Sequence, residues 1–345
     1  MARSSRSFAA AASSAILALV GVAPADADAP IPTTGPSRAI AATGPEGELA
    51  GTLLLPATGE GPYETVLILP GSGPVDRDGN AAGAISAAPY RLLAEGLAGH
   101  GIASVRIDKR GAHASRAAGD GNDVTLDAYA DDVERWLASI ADASELSGEV
   151  WLAGHSEGAL IATVTAARAP AAVRGIALLN APGRPLGALL RDQLAAMPAN
   201  APILEQAFAA IETLERGGRV DTDSLHPNLA AGLFDEKVQG YLSELVRFDP
   251  AEALGALGEA EDPLPVLIVH GGRDLQIPDL EPRRLLAARP DAELVTIADM
   301  NHVMKRVATD DREANLATYA DPHLPIVPAA VEAVADFVKR TRPGR

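Results

Sequence analysis

Seven short apolar runs recur along the chain, and stretches with helical spacing separate them. The runs occupy residues 53–55, 65–69, 103–107, 150–153, 176–179, 266–269 and 294–297. They are rich in Val, Ile, Leu and Ala without a regular polar alternation, which is typical of strands buried on both faces of a parallel sheet. The alternation of such strands with helices predicts an α/β protein with a doubly wound, mostly parallel sheet.

Between the strands, apolar residues recur at the spacing of amphipathic helices. Residues 89–97 and 328–338 each have this pattern. Thr125 is expected to cap a helix that buries Tyr129 and Trp136, because a threonine side chain can accept a hydrogen bond from an amide of the first helical turn.

Residues 184–250 interrupt the alternation because they contain no convincing strand. Apolar stripes predict three helices in this stretch, near residues 186–197, 203–211 and 238–246. An insertion at this point would lie over the carboxyl edge of the sheet, where α/β proteins bind ligands. We therefore predict an inserted helical cap at residues 184–250 and a core formed by residues 46–183 and 251–345. A long helical crossover on one face of the sheet is the alternative.

The first residues have the layout of a secretory signal peptide. Arg3 and Arg6 precede an alanine-rich apolar stretch at residues 8–22, and small residues suited to cleavage follow. Cleavage after Ala27 would remove residues 1–27 and leave residues 28–45 as a flexible leader. An uncleaved anchor is the alternative, but the apolar stretch is short for a bilayer. We therefore expect an exported protein, periplasmic or extracellular, without a membrane span in its mature form.

Composition narrows the classes of function. The chain of 345 residues is 47% hydrophobic but only 3% aromatic, so aliphatic side chains must form most of its core. Its formal net charge of −17 repels polyanions, and no basic stripe offsets it, so we expect no nucleic-acid partner. The absence of cysteine excludes disulfides, thiolate metal sites and a cysteine nucleophile.

The sequence Gly-His-Ser-Glu-Gly at residues 154–158 directly follows the apolar run at 150–153 and precedes a helical segment. In the pattern Gly-x-Ser-x-Gly, a strained turn presents the serine hydroxyl at the edge of the sheet, and glycine is needed where neighbouring backbone is crowded. The strand before and the helix after make Ser156 a candidate nucleophile. An inert tight turn is the alternative.

A serine hydroxyl needs a base to take its proton, and the base needs an orienting acid. Asp274 follows the run at 266–269 and His302 follows the run at 294–297, so both are expected at the carboxyl edge of the sheet. The chain order of serine, aspartate and histidine is one that a class of serine hydrolases uses. Asp299 is a rival for the acid, and His323 is a rival for the base.

A catalytic serine also needs two backbone N–H donors that stabilise the negative oxygen of the intermediate. We predict one at Glu157, directly after Ser156, whose carboxylate must then point away from that oxygen. The second is expected in the glycine-rich loop at residues 70–74, at Ser72, with Gly73 as the other choice. A plain turn is the alternative for this loop.

Several charged residues are expected near the site, at Asp76, Arg77, Asp78, Asp108 and Arg110. We interpret them as a structural ion-pair network that supports the loop at residues 70–74, with substrate binding as the alternative. A calcium site is not predicted, because too few oxygen ligands follow Asp76 and Asp78 at the required spacing.

These motifs together resemble the α/β-hydrolase superfamily, in the group related to dienelactone hydrolases and acyl-peptidase catalytic domains. The matching stretches are residues 70–74, 76–80, 108–111, 154–158, 270–274 and 301–302. The resemblance implies an α/β-hydrolase fold and hydrolysis of an ester, thioester or amide without a cofactor or metal. The acidic residue after the nucleophile and the cap depart from the pattern.

We expect a serine esterase that cleaves small to medium carboxylic esters through Ser156, His302 and Asp274 with an acyl-enzyme intermediate. The partner would then be a small-molecule ester. A peptidase, a thioesterase or an acyltransferase could use the same three residues. A non-catalytic binding protein of the same fold is the alternative outside the enzyme classes.

Overall fold

The computed structural model describes residues 34–260 and 262–342. The strands are β1 (Thr34–Thr43), β2 (Glu48–Pro56), β3 (Tyr63–Leu69), β4 (Ala103–Ile107), β5 (Leu146–His155), β6 (Gly175–Leu179), β7 (Val266–Gly271) and β8 (Glu293–Ile297). The helices are α1 (Pro89–Gly99), α2 (Leu126–Ala141), α3 (Glu157–Arg168), α4 (Leu186–Ala195), α5 (Leu204–Glu215), α6 (Pro227–Gly232), α7 (Gln239–Leu245), α8 (Pro250–Ala256), α9 (Leu280–Ala288), α10 (Arg312–Ala317) and α11 (Pro328–Arg340). The predicted signal peptide at residues 1–27 and the start of the predicted leader lie outside the described residues.

All eight strands form one sheet in the order β1-β2-β4-β3-β5-β6-β7-β8. The pairs β1–β2 and β2–β4 are antiparallel, and every other pair is parallel. Each of the seven apolar runs lies within a strand of this sheet, from β2 to β8. The predicted doubly wound, mostly parallel α/β fold is therefore confirmed.

The leader prediction is wrong from residue 34 onward, because β1 occupies most of that segment. β1 pairs with β2 in an antiparallel register that includes Arg38 opposite Leu53 and Thr43 opposite Glu48. It is an edge strand in which Ile40 and Ala42 are buried while most other side chains are exposed. An edge strand of this kind has no continuous apolar run, so its hydrophobic pattern did not distinguish it from a loop.

Helices cover both faces of the sheet, as alternate residues of β3 illustrate. Val66 and Ile68 face a core that α1 and α11 complete, whereas Leu67 and Leu69 face a second core completed by α2 and α3. α2 begins where the sequence predicts, with Thr125 Oγ1 accepting the amide of Ala128 at 3.0 Å. Burial on both faces explains why these strands are apolar without alternation.

Between β6 and β7 the chain is helical. The segment 184–250, all of which the structure describes, contains α4 to α7 and no strand. It has a small apolar core of its own, in which Ile211, Leu214 and Phe234 are fully buried. Among the described residues, no helix is both long and apolar enough to cross a bilayer.

The contact between α1 and α11 gives a test of the packing. A Cβ at Gly96 in α1 would lie 2.7 Å from one γ-carbon of Val331 and 2.8 Å from the other. Because valine is rigid at χ1, we expect Gly96→Ala to destabilise the protein by about 1–3 kcal/mol despite the better helix propensity of alanine. Urea denaturation measures this change.

Gly240→Ala in α7 is the matched control, since a Cβ at Gly240 meets nothing within 4 Å. We expect this variant to be neutral or more stable by about 0.5–1 kcal/mol. Equal effects of the two substitutions would contradict the proposed tight contact between α1 and α11.

Candidate active site

Ser156 occupies a strained turn between β5 and α3. Its φ of 53° and ψ of −120° lie in a region that non-glycine residues rarely adopt. The flanking glycines permit this turn. A Cβ at Gly154 would lie 2.3 Å from the carbonyl oxygen of Gly158, and a Cβ at Gly158 would lie 2.3 Å from the carbonyl oxygen of Leu69. The pattern Gly-x-Ser-x-Gly is therefore required by backbone packing at this point.

The structure brings Asp274 and His302 together from the loops after β7 and β8. Their side chains are 0% and 6% exposed, and His302 Nδ1 donates to Asp274 Oδ2 at 2.7 Å. The other carboxylate oxygen accepts the amides of Gln276 and Ile277 at 2.7 and 2.9 Å. A carboxylate held on both oxygens keeps the proton of the imidazole on Nδ1, which leaves Nε2 free to accept a proton.

Ser156 and His302 come from neighbouring loops. The ring of His155, directly before Ser156, lies against the ring of His302 with centroids 4.6 Å apart. The carbonyl oxygen of His302 accepts hydrogen bonds from His155 Nε2 at 2.8 Å and from Asn180 Nδ2 at 2.9 Å. Within the described residues the Ser156 hydroxyl makes no hydrogen bond, so the structure holds the two loops together without joining Ser156 Oγ to the imidazole.

A directed chain of hydrogen bonds extends from His155 to the loop after β3. The amide of Gly71 donates to the Tyr90 hydroxyl at 2.9 Å, and that hydroxyl lies 2.9 Å from His155 Nδ1. Because the carbonyl of His302 can only accept, His155 carries its proton on Nε2, and its Nδ1 accepts from Tyr90. Burial, together with the nearby His302, lowers the pKa of His155 from 6.5 to about 3. His155 therefore stays neutral across the physiological range.

Ser72 and Glu157, the residues of the two predicted oxyanion donors, both line the cavity that contains Ser156. Glu157 is the first residue of α3, so its amide is one of the helix N–H groups that lack a partner within the helix. Among the described residues, no backbone or side-chain group accepts a hydrogen bond from the Ser72 amide. Gly73, the other choice, has a φ of 79°.

Two cavities flank these residues and share Ser72, Glu157 and Leu245 as lining residues. One, with about 570 Å³ of space open to solvent, contains Ser156 and has mixed walls, in which Leu160, Leu186, Leu189, Leu190, Phe248 and Ile277 alternate with Arg184, Gln193 and Gln276. The other, of about 700 Å³, is bordered by Gly73, Lys109, Tyr129, Tyr241 and Leu242. Helices α4 and α7 of segment 184–250 contribute walls to this site.

Residues 66–317 match a family described as the Alpha/beta hydrolase family. The chain belongs to this family. Among curated proteins, Esterase EstD from Thermotoga maritima is 27% identical to this α/β hydrolase over 268 residues, which are 74% of this chain and 58% of that protein. The chain thus spans 58% of the length of the curated relative that it matches.

Solved structures of other proteins have the same fold as this α/β hydrolase. Est1E from Butyrivibrio proteoclasticus is 17% identical with a TM-score of 0.54, over 88% of this chain and 98% of that one. The α/β hydrolase GrgF from Penicillium sp. sh18 is 19% identical with a TM-score of 0.56, over 89% and 99% of the two chains. The esterase Pf2001 of Pyrococcus furiosus is 16% identical with a TM-score of 0.52, over 88% and 92%. At these identities the likeness concerns the fold alone.

The rival residues lie elsewhere in this α/β hydrolase. Asp299 pairs with Arg306 at 3.3 Å rather than with His302. His323 is exposed on a loop. A further histidine near the site, His270 in β7, has its Nε2 3.1 Å from Asp279, on the segment that follows the Asp274 loop.

Four of the five predicted charged residues form ion pairs, among them Arg110, which pairs with Asp132 at 2.6 Å. Arg77 pairs with Asp108 at 2.5 Å, and Arg106 pairs with Asp78. Asp108 also accepts the amide of Arg77 at 2.8 Å, which fixes the chain just after the loop at residues 70–74. Asp76 accepts backbone amides within its own turn. These contacts support the structural interpretation of the cluster.

Sequence reasoning missed Lys109 and Tyr90. Lys109 Nζ lies 3.0 Å from Glu157 Oε1, and both side chains are buried. The Glu157 carboxylate therefore points to Lys109. A lysine two residues after the buried strand β4 was the available signal for Lys109, because a buried cation requires a partner.

The neutral state of His155 predicts a stability that depends on pH. Since the pKa of His155 is depressed in the folded protein, the unfolded chain takes up the proton first, and stability is lost as pH falls from about 6.5 toward 3. His155→Gln keeps one donor and one acceptor but cannot titrate. Between pH 7 and pH 5 we expect the wild type to lose about 2 kcal/mol more stability than His155→Gln.

Urea denaturation at both pH values measures this difference. His323→Gln, which removes an exposed histidine, is the control and is expected to follow the wild type. Parallel losses in the wild type and in His155→Gln would show that His155 is not the group responsible.

Proposed function

We propose that this α/β hydrolase cleaves carboxylic esters through Ser156, His302 and Asp274. The observation that carries the proposal is the 2.7 Å contact between buried His302 and Asp274, on loops packed against the strained turn of Ser156. It is supported by Esterase EstD, a relative named as an esterase that is similar over 74% of this chain.

In the proposed reaction, His302 Nε2 takes the proton of Ser156 as Oγ attacks the acyl carbon. Asp274 keeps the imidazole in the required tautomer and stabilises its cationic form. The amides of Ser72 and Glu157 donate to the negative oxygen of the tetrahedral intermediate. The alcohol leaves with the proton from His302, and water then hydrolyses the acyl-enzyme by the same steps.

The cavities indicate the size of the substrate. Both reach Ser72 and Glu157, where the carbonyl oxygen would bind, so the two halves of an ester can extend into separate spaces. The cavity bordered by Tyr129, Tyr241 and Leu242 has mostly apolar walls, which favour an apolar group, whereas Arg184, Gln193 and Gln276 add polar groups to the cavity at Ser156. We therefore propose small to medium esters with at least one apolar half.

Ser156→Ala tests the nucleophile. We expect its turnover of short nitrophenyl esters to fall by about 10⁴-fold or more, because no other side chain can form the acyl-enzyme. Fluorophosphonate should label the wild type stoichiometrically and leave this variant unlabelled. Ser147→Ala, at an exposed serine, should match the wild type in both assays. Retention of most activity by Ser156→Ala would refute the assignment.

Asp274→Asn tests the acid against its rival. An asparagine at this position would donate to His302 Nδ1 and force the proton onto Nε2, so we expect kcat to fall by about 10⁴-fold. Asp299→Asn is the matched control, since Asp299 pairs with Arg306, and its kcat should stay near the wild-type value. The opposite ranking of the two variants would assign the acid to Asp299.

Peptidase, thioesterase and acyltransferase chemistry would use the same three residues. One panel of acyl esters, acyl thioesters and aminoacyl anilides, assayed with and without competing alcohols, separates these activities. We expect the esters to be the best substrates and water to be the acceptor. A protein that binds such compounds without turnover and resists fluorophosphonate would instead be a binding protein.

A further inference from the structure

A buried ion pair lies directly beside the proposed oxyanion donors. Lys109 Nζ is 3.0 Å from Glu157 Oε1, and the two side chains are 7% and 6% exposed. Burying both charges costs desolvation energy that their attraction repays only in part, so the pair is a poor way to stabilise a fold. Its place in the site suggests a different role.

Lys109 makes a second contact, to the loop that carries the other donor. Its Nζ donates to the carbonyl oxygen of Gly71 at 2.8 Å. The peptide bond between Gly71 and Ser72 is trans, and in a trans peptide the carbonyl and the following N–H point in opposite directions. The hydrogen bond from Lys109 therefore sets the direction in which the Ser72 amide points.

The same peptide segment is held from its other side. The amide of Gly71 donates to the Tyr90 hydroxyl at 2.9 Å, so both polar groups of Gly71 are occupied. A Cβ at Gly71 would lie 3.3 Å from the Cβ of Ser156, which shows how closely the loop approaches the nucleophile turn. The direction of the Ser72 amide is thus fixed within contact distance of Ser156.

The charge of Glu157 explains why the cation is needed here. Glu157 contributes a proposed oxyanion donor through its amide and carries a buried carboxylate on the same residue. An unpaired carboxylate beside a developing oxyanion would oppose its formation, because Coulomb repulsion is strong where water is excluded. Lys109 neutralises this charge while it holds Gly71.

We propose that Lys109 and Glu157 are positioning residues that build the oxyanion site. Lys109 directs the Ser72 amide toward the reacting oxygen and joins this loop to the first turn of α3. Glu157 holds the ammonium group of Lys109 between the Gly71 carbonyl and the first turn of α3. This inference rests on the proposed esterase function, and it accounts for the acidic residue after the nucleophile.

Lys109→Met is the first test. It removes the hold on the Gly71 carbonyl and leaves the Glu157 carboxylate unpaired. We expect kcat for nitrophenyl esters to fall about a hundredfold with KM changed less than about threefold, because the loss falls on the transition state. Inhibition by an alkyl trifluoromethyl ketone, whose adduct with serine carries an oxyanion, should weaken by a similar factor.

Glu157→Gln separates the two contacts of Lys109. This variant keeps the hydrogen bond from Lys109 to Gly71, so we expect kcat to fall only about tenfold or less. A loss as large as that of Lys109→Met would overturn the role assigned to the Gly71 carbonyl.

Lys109→Met leaves an uncompensated buried charge and could therefore fail to fold. The double variant Lys109→Met/Glu157→Leu removes both charges and avoids this problem. We expect its kcat to be about a hundredfold below the wild-type value, with KM near the wild-type value. Circular dichroism and urea denaturation establish that it is folded. Normal kcat in a folded double variant would overturn the proposal.

Arg289→Met is the matched control. Arg289 is also a buried cation that donates to one carboxylate, Asp291, and to one backbone carbonyl, that of Leu264, but it lies at the opposite edge of the sheet. We expect it to lose stability with kcat unchanged. If Arg289→Met and Lys109→Met lost kcat equally, general destabilisation would explain the effect of Lys109→Met, and the inference would be overturned.

Failure of the proposed function has a different signature. If the wild type hydrolyses no ester and fluorophosphonate does not label Ser156, the esterase proposal is wrong and this inference falls with it. If the wild type is active, Ser156→Ala is inactive and Lys109→Met keeps its kcat, only the role of Lys109 and Glu157 is overturned.

Discussion

The site depends on the close approach of two backbone segments at the carboxyl edge of the sheet. The end of β3 contacts the first turn of α3 so closely that any side chain at Gly158 would overlap the Leu69 carbonyl. This contact leaves Ser156 in a strained conformation, because the chain must reverse from strand to helix in the space that remains. It also brings the loop that starts at Gly71 beside the nucleophile.

Buried hydrogen bonds hold the loops around that contact. Tyr90 and His155 connect the Gly71 amide to the carbonyl of His302, and each bond has only one possible direction. Such a chain keeps its geometry only while every member has its proper proton, because an unsatisfied polar group is costly in a low-dielectric interior. The neutrality of His155 is therefore part of the architecture, because protonation of Nδ1 would remove its hydrogen bond from Tyr90.

Charge is distributed differently around the loop after β3 and along segment 184–250, which line the site together. Around the loop after β3, Arg77, Asp108, Lys109 and Glu157 are paired, so the many acidic residues of the chain do not leave a net negative charge beside the reacting oxygen. Segment 184–250 instead contributes mainly leucine side chains through α4 and α7, together with Arg184 and Gln193. A substrate would meet fixed dipoles where negative charge develops and mainly apolar surface elsewhere, an arrangement suited to a neutral ester.

The sequence by itself determined the parts that follow from local pattern. Continuous apolar runs marked strands β2 to β8, and the glycines around Ser156 identified the strained turn, because both reflect constraints that act on neighbouring residues. The meeting of Asp274 with His302 was also predictable, since parallel strands place their following loops at one edge.

Only the tertiary structure decided the rest. β1 is an exposed edge strand whose position is set by pairing with β2, and the partners of Lys109 lie 38 and 48 residues away in the chain. Which distant group satisfies a buried charge depends on how the layers pack, and no spacing along the chain records that choice.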